Sequence, residues 1–280
     1  MIRLKYVKKI LLYTVLVLVA CMSLFPLLWA FSASLRSDTE LYKYALPFTV
    51  HTLIPVEPTL NSYISLFTEF DFAKPITNTI ILVLILIPCG CLVNSIAAFS
   101  FATFNFPFKK ILFSLFLVTF MIPFESIAMP LYNVINDFGW VDTRLALIVP
   151  GVASGLILFL FTQFFKDIPP SLIEAARIDG ASWPVVFRRI IFPSSIPVFV
   201  TAGLMIFMDQ WNAYLWPLLV ARDREIRTIQ IALSVFKMER VTLWSNLYAG
   251  SIISALIPLL LFLPFQKYYV QGIVSSGVKG

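Results

Sequence analysis

Two carboxylates, Glu125 and Asp209, stand inside long apolar runs of this 280-residue chain. Around them sit residue types able to hold a polar solute. Asp209, Gln210, Trp211, Asn212 and Trp216 form the densest group, and Asn94 with Ser95 adds an amide and a hydroxyl in another run. Indole rings can stack on the apolar faces of a polyhydroxylated ring while amides bond its hydroxyls. A charge in hydrocarbon is costly, so each carboxylate must face a cavity, a partner or water. The same residues admit a plainer reading. Asp209 and Asn212 are one helical turn apart and can simply join helices. Trp216 can anchor a helix at an interface, and Glu125, just past Pro123, can sit at a kink between subunits. The candidate pathway residues are therefore Asn94, Glu125, Asp209, Trp211, Asn212 and Trp216.

Enzymatic chemistry has no comparable foothold. The chain contains no GxxxxGK[ST] phosphate loop and no nucleophile–base constellation. Cys21, Cys89 and Cys91 all lie in apolar runs, far from the single His51, and read as small buried hydrophobes. No catalytic residue, cofactor or metal is expected in this chain.

A third group is polar and helical. Residues 169–193 read PPSLIEAARIDGASWPVVFRRIIFP. Pro169 and Pro170 stop the preceding helix. Ser171 and Glu174 have the spacing of a capping box. Gly180 suits the position just past a helix end. The pattern predicts a helix of about two turns, too short to stand alone, leaning on Leu172, Ile173 and Ala176. A second short helix is expected over Trp183–Ile191, with Ser182 as its cap, Val186, Phe187 and Ile190 packing it back, and Pro193 closing the segment. Two readings remain open on local chemistry: an amphipathic hairpin resting on lipid headgroups, or a docking element for a soluble partner that uses the small Ala175 and Ala176 for close approach.

The elements that must position these groups follow from composition. The chain is 59% hydrophobic and 13% charged, with mean hydropathy +0.89. That charge is about half the share of a soluble domain, too little to cover a surface in water. Six apolar runs, at about 10–32, 77–102, 111–135, 145–165, 196–220 and 247–265, are each long enough to cross the roughly 30 Å of hydrocarbon as a helix. The first run lies behind Arg3, Lys5, Lys8 and Lys9 and is too long for a signal peptide. Between the runs lie loops at 33–76, 166–194 and 221–246 and a tail at 267–280. The chain reads as a single membrane domain, 1–280.

Orientation follows from the basic residues. With the N-terminus inside, the inner segments hold twelve Lys and Arg against three Asp and Glu, a net of +9. The outer loops hold nine against ten, a net of −1. Both termini are then cytoplasmic. The overall net charge of +6 belongs to a membrane face that meets anionic lipid, and no nucleic-acid partner is expected.

The pattern EAA-x3-G-x9-I-x-F-P at 174–193 resembles the signature loop of ABC importer inner-membrane permeases. Members usually carry Leu where Phe192 stands, a departure that keeps the apolar role. The resemblance covers nearly the whole chain. MIPFESIAMPLYNVINDFGWVDT at 121–143, FKDIPPSLIEAARIDGAS at 165–182 and DQWNAYLWPLL at 209–219 look like carbohydrate-type permeases. FQKYYVQGIVSSGVKG at 265–280 resembles the tail of the maltose-type second permease subunit. The resemblance implies a six-helix, all-α type I importer architecture in a prokaryotic inner membrane. It implies that loop 166–194 is a coupling helix received by an ATP-binding subunit, with Glu174, Ala175, Ala176, Gly180 and Pro193 as its coupling residues. It implies that loop 221–246 reaches a sugar-binding protein and that the tail reaches between two ATP-binding subunits. The implied complex holds a second homologous permease, two ATP-binding subunits carrying ATP and Mg, an extracytoplasmic substrate-binding protein and a carbohydrate or polyol cargo. The rival class, an ion-coupled secondary transporter, predicts inverted repeats and a self-sufficient chain. A membrane-embedded enzyme or structural anchor would leave the signature loop unexplained.

Overall fold

The computed structural model of the protein describes residues 2–237 and 242–277, with side chains over 8–237 and 242–266. Every named element among them is helical. In order they are α1 (Ile2–Ser34), α2 (Asp38–Lys43), α3 (Val50–Leu53), α4 (Asn61–Thr68), α5 (Ala73–Thr103), α6 (Lys109–Met121), α7 (Phe124–Asp137), α8 (Arg144–Val152), α9 (Gly155–Lys166), α10 (Pro170–Ile178), α11 (Trp183–Val186), a π-helical turn (Phe187–Ile191), α12 (Phe192–Ser194), α13 (Ile196–Asn212), α14 (Leu215–Val220), α15 (Ile229–Val235) and α16 (Trp244–Gly277). Among the described residues four helical stretches are long and apolar enough to cross a membrane, or up to six when each of two bent pairs counts as one span.

Several runs that read as continuous are broken, and proline accounts for the breaks. The run 111–135 is two helices, α6 and α7, meeting at 101°. Ile122, ahead of Pro123, is extended at φ −77°, ψ 122°, as a pre-proline residue prefers. The run 145–165 is interrupted at Ala153, shortly after Pro150. The run 196–220 ends its first helix at Asn212, and Ala213 is extended. Pro217 explains that stop, because its ring would clash with the carbonyl four residues back.

The chain divides into two compact units, residues 1–72 with 233–257 and residues 73–232 with 258–280. In the second, α5 is the central helix and packs on α8, α9 and α13. Leu82, Leu86, Cys91, Asn94, Ala98 and Phe99 form its buried stripe at helical spacing. Small residues let backbones approach. A Cβ on Gly155, at the start of α9, would lie 2.6 Å from the Phe116 carbonyl of α6.

In the first unit, Phe70 and Phe72 pack edge-on and tilted against Phe236, with Leu66 and Leu233 buried beside them. Arg36 and Glu40 form a buried ion pair at 3.7 Å. The Glu40 carboxylate also accepts the backbone N–H groups of Val56 at 2.8 Å and Glu57 at 3.3 Å, which folds residues 54–59 back onto α2. Burial holds the Arg36 guanidinium below its ordinary value, and the Glu40 charge acts against that shift. No apolar side chain of α1 between Ile10 and Phe31 is buried within the chain. Such a surface requires lipid or another membrane subunit.

Candidate functional site

The segment 169–194 forms two short helical pieces, as its prolines and glycine dictate, but its first cap differs from expectation. Helix α10 begins at Pro170 with Pro169 as N-cap, and no side-chain capping bond forms. Proline at the first helical position gives up no bond, because that N–H has no intrahelical partner, and its φ is already helical. Ser171 is thus inside the helix rather than at its cap, and the capping box with Glu174 does not form. The other end is closed as Gly180 predicts. Its φ is +83°, its N–H donates to Arg177 O at 3.1 Å, and the Ala181 N–H donates to Ala176 O at 2.9 Å. These two bonds are the Schellman pair, which satisfies the carbonyls a helix end leaves open.

Arg177 links the two pieces. Its guanidinium lies 4.5 Å from the Trp183 ring centre and donates to the Ala181 carbonyl at 2.5 Å. Trp183 stands edge-on to Phe104 and Phe99 at the end of α5, and Phe187 meets Phe99 as well. Ile173 and Ala176 face this packing, whereas Leu172, expected there, is exposed. Glu174, Ala175 and Asp179 are exposed too, and Ile178 is 86% exposed. Two open grooves flank α10. One, of about 680 Å³, is lined by Ile173, Glu174, Arg177, Lys166 and Trp183. The other, of about 380 Å³, is lined by Asp179, Gly180, Val185, Arg189 and Ile190. The second piece is not one α-helix. It widens to a π-turn in which the Phe192 N–H reaches the Phe187 carbonyl five residues back. Pro193, which has no N–H for the Arg189 carbonyl, accounts for the wider turn. Pro193 lies within α12, and the segment ends at Ser195, where the chain bends by 81° into α13.

The candidate pathway residues separate into two sets. Asn94 is buried, and its amide is fully engaged: it donates to Gly90 O at 2.7 Å and Val152 O at 2.8 Å and accepts from Ser154 N at 3.0 Å. Two of those three groups flank the break between α8 and α9. Trp216 is also buried, and its indole N–H donates to the Ala146 carbonyl at 2.8 Å. That carbonyl is the one Pro150 cannot serve, so the indole supplies the missing helical bond. Trp211 is buried and stacked on Phe207 at 5.4 Å. Glu125, Asp209 and Asn212, by contrast, are exposed on the chain. Asn212 bonds its own helix at Met208 O, Asp209 accepts from the Gln210 amide at 2.9 Å, and Glu125 sits in the first turn of α7, where the helix dipole favours a negative charge. The cluster at 209–216 is therefore split by the break between α13 and α14. It does not form one continuous face.

One positioning residue was counted in the sequence only as an outer charge. Asp142, at φ +57°, accepts the backbone N–H groups of Arg222 at 2.6 Å and Asp223 at 3.0 Å. Its own N–H donates to Val220 O at 2.8 Å. Arg222 then reaches the Tyr132 hydroxyl at 3.2 Å. A few residues on, Lys74 pairs with Glu225, and Asn78 donates to the carbonyls of Glu225 and Arg227. The start of loop 221–246 is thus fastened at several points, while residues 238–241 of that loop lie outside the described residues. The tail expectation for 267–280 likewise falls beyond the described side chains.

Comparison with known proteins bears on the whole chain. Residues 87–273 match the family described as "Binding-protein-dependent transport system inner membrane component". The chain is 31% identical over 265 residues to the arabinooligosaccharides transport system permease protein AraQ of Halalkalibacterium halodurans, covering 94% of this chain and 93% of that one. It is 28% identical over 264 residues to the lactose transport system permease protein LacG of Rhizobium radiobacter, covering 94% of each. It is 31% identical over 272 residues to the sn-glycerol-3-phosphate transport system permease protein UgpE of Escherichia coli, covering 94% and 95%. Its fold matches that of a chain in the crystal structure of a bacterial ABC transporter involved in the import of the acidic polysaccharide alginate, with TM-score 0.82, 19% identity and coverage of 94% and 96%.

Proposed function

The chain belongs to the family of binding-protein-dependent transport system inner membrane components, and from that premise we propose that it forms half of the pathway for an oligosaccharide or related polyol. It is a multi-pass inner-membrane permease subunit. In the proposed complex a second homologous permease completes the pathway, two ATP-binding subunits hold ATP and Mg, and an extracytoplasmic protein delivers the cargo. The chain crosses the membrane six times, each bent pair counting as one span, with both termini cytoplasmic. Alternating access moves cargo between the two permeases, and ATP binding supplies the bias between inward and outward states.

The observation that carries this reading is α10. A helix of nine residues is closed at its end by a Schellman pair and tied to its neighbour by Arg177, yet it leaves Leu172, Glu174, Ala175 and Ile178 uncovered. A rigid element with an uncovered apolar and acidic face suits a lever received by another subunit. In this reading Glu174, Ala175, Ala176 and Gly180 form the lever, and Pro193 sets the turn that joins it to α13. Of the pathway residues, Glu125, Asp209 and Asn212 face the partner permease or the cargo. Asn94, Trp211 and Trp216 hold the helices that carry them. The carbohydrate cargo draws on the arabinooligosaccharide and lactose permeases among the relatives.

Reconstitution tests the reading. Uptake in proteoliposomes should require the second permease, the ATP-binding subunits, the binding protein and ATP. Uptake by this chain alone, without nucleotide, would overturn it in favour of a gradient-driven carrier.

A further inference from the structure

The polar cleft in the first unit is absorbed by none of the roles above. It has a volume of about 450 Å³ and lies between α2, α4 and the start of α16. Among the described residues Ile64 is the one apolar side chain that lines it, and that described lining contains no Lys, Arg or aromatic residue. Ser62, Ser245 and Asn246 line it while only 6%, 4% and 8% exposed. Part of their capacity is spent internally. The Asn246 amide donates to Ser65 Oγ at 2.7 Å, and the Ser245 N–H donates to the Asp38 carboxylate at 2.9 Å. The Asn246 amide oxygen and the Ser62 and Ser245 hydroxyls have no bonding partner among the described residues. None of these three atoms is shut away from the cleft, so each is free to bond water or a solute that enters it. Asn61 and Glu69 complete the mouth and are exposed.

We propose that this cleft is a transfer subsite for a neutral polyhydroxylated solute, and that it discriminates against anionic cargo. The proposal rests on the carbohydrate reading above and narrows it. A sugar hydroxyl both donates and accepts, so it matches the serine hydroxyls, the Asn246 oxygen and the carboxylates of Asp38 and Glu69 at once. The ionised group of a phosphate ester or a uronate only accepts. It would face the Asp38 and Glu69 carboxylates with no cation among the described lining residues to offset them. The volume falls in the range of small-molecule sites and far exceeds what a bare cation fills. Without an aromatic platform the cleft holds its solute by hydrogen bonds alone, which keeps residence short, as a site that must pass its cargo on requires.

The test uses the assembled complex in nanodiscs. First, lactose, arabinotriose, maltotriose and raffinose are screened for ATP-dependent uptake with the binding protein present. If none is carried, the carbohydrate reading itself falls. For a sugar that is carried, direct binding of the labelled sugar is then measured with the binding protein omitted, beside glycerol 3-phosphate and galacturonate. Asn61→Ala and Glu69→Gln alter exposed side chains and leave the packing intact. Each should weaken sugar binding about fivefold and raise the uptake KM to match, with kcat unchanged, as loss of one hydrogen bond predicts. Glu69→Lys should admit the anions. Uptake of a sugar with no direct binding, or binding and KM unmoved in all three variants, would overturn the subsite and leave the importer reading standing.

Discussion

Glu174 lies within the nine-residue helix α10 and Gly180 just past its end, and the two do different work. Gly180 has φ +83°, and a Cβ there would meet no atom within 4 Å. Replacing it therefore costs backbone strain alone, about 1–2 kcal/mol for an ordinary residue and more for a β-branched one. Gly180→Val should leave the protein inserted but weaken capture of the ATP-binding subunit, while Gly180→Asn, which tolerates that conformation, should retain most of it. Copurification and substrate-stimulated ATP turnover report both. Glu174 makes no capping bond, so Glu174→Ala removes an exposed carboxylate at little cost to the helix. A loss of coupling in that variant would then belong to docking, and unchanged coupling in both Glu174→Ala and Gly180→Val would return the segment to a lipid-surface role. Asp142 is tested separately. Asp142→Ala deletes the acceptor for two backbone N–H groups, so trypsin should cut faster at Arg222, Arg224 and Arg227. Asp142→Asn keeps an acceptor and a tolerance for positive φ, and should restore protection.

At the scale of elements, prolines divide the apolar runs and side chains from other helices repair the breaks. Pro150 leaves Ala146 O without its helical donor, and Trp216 supplies one. The break at Ala153 is held by Asn94 from α5. Such repair is what allows broken helices in a membrane protein, because hydrocarbon offers no water to the freed groups. The approach of α6 to α9 is a second constraint. Gly155→Ala would place a methyl 2.6 Å from the Phe116 carbonyl, which is backbone and cannot turn aside. We expect a loss of about 1–3 kcal/mol, read as a lower midpoint of thermal unfolding in detergent. The flexible Ile206 tip beside Gly90, 3.0 Å from a Cβ built there, should make Gly90→Ala the milder change.

For the whole molecule, the expected orientation is the testable quantity. Single cysteines at Glu57, Lys109 and Asp179, placed in a chain cleared of Cys21, Cys89 and Cys91, should divide cleanly before a membrane-impermeant thiol reagent. Glu57 is exposed, unlike the buried Glu40 of the same loop. Position 57 should label from outside, and positions 109 and 179 only after the membrane is opened. Labelling of position 179 in sealed cells would reverse the topology and remove the coupling role with it. The uncovered apolar length of α1 and the lack of any buried residue on α6 add a further expectation: these helices meet lipid or another permease.

What the sequence determined by itself is what short windows determine. Apolar length, basic flanks, the Pro169–Pro170 start and the Gly180 stop are set by transfer free energy and by backbone dihedral limits, and these act within a few residues. The all-α multi-pass class and the two short helical pieces that begin at Pro170 and Trp183 were legible for that reason. The capping box at Ser171 was not, because two prolines in succession moved the helix start back by two residues, from Leu172 to Pro170. Tertiary structure alone decided which polar side chains remain open. Asn94, Trp216 and Asp209 look alike in sequence as polar groups in grease. The first two find carbonyls 58 and 70 residues away, and Asp209 stays exposed. The polar cleft brings Ser65 beside Asn246 across 181 residues. A hydrogen bond needs its partner within about 3 Å and suitably aligned, and the spacing of residues along a chain does not specify which distant group will be there.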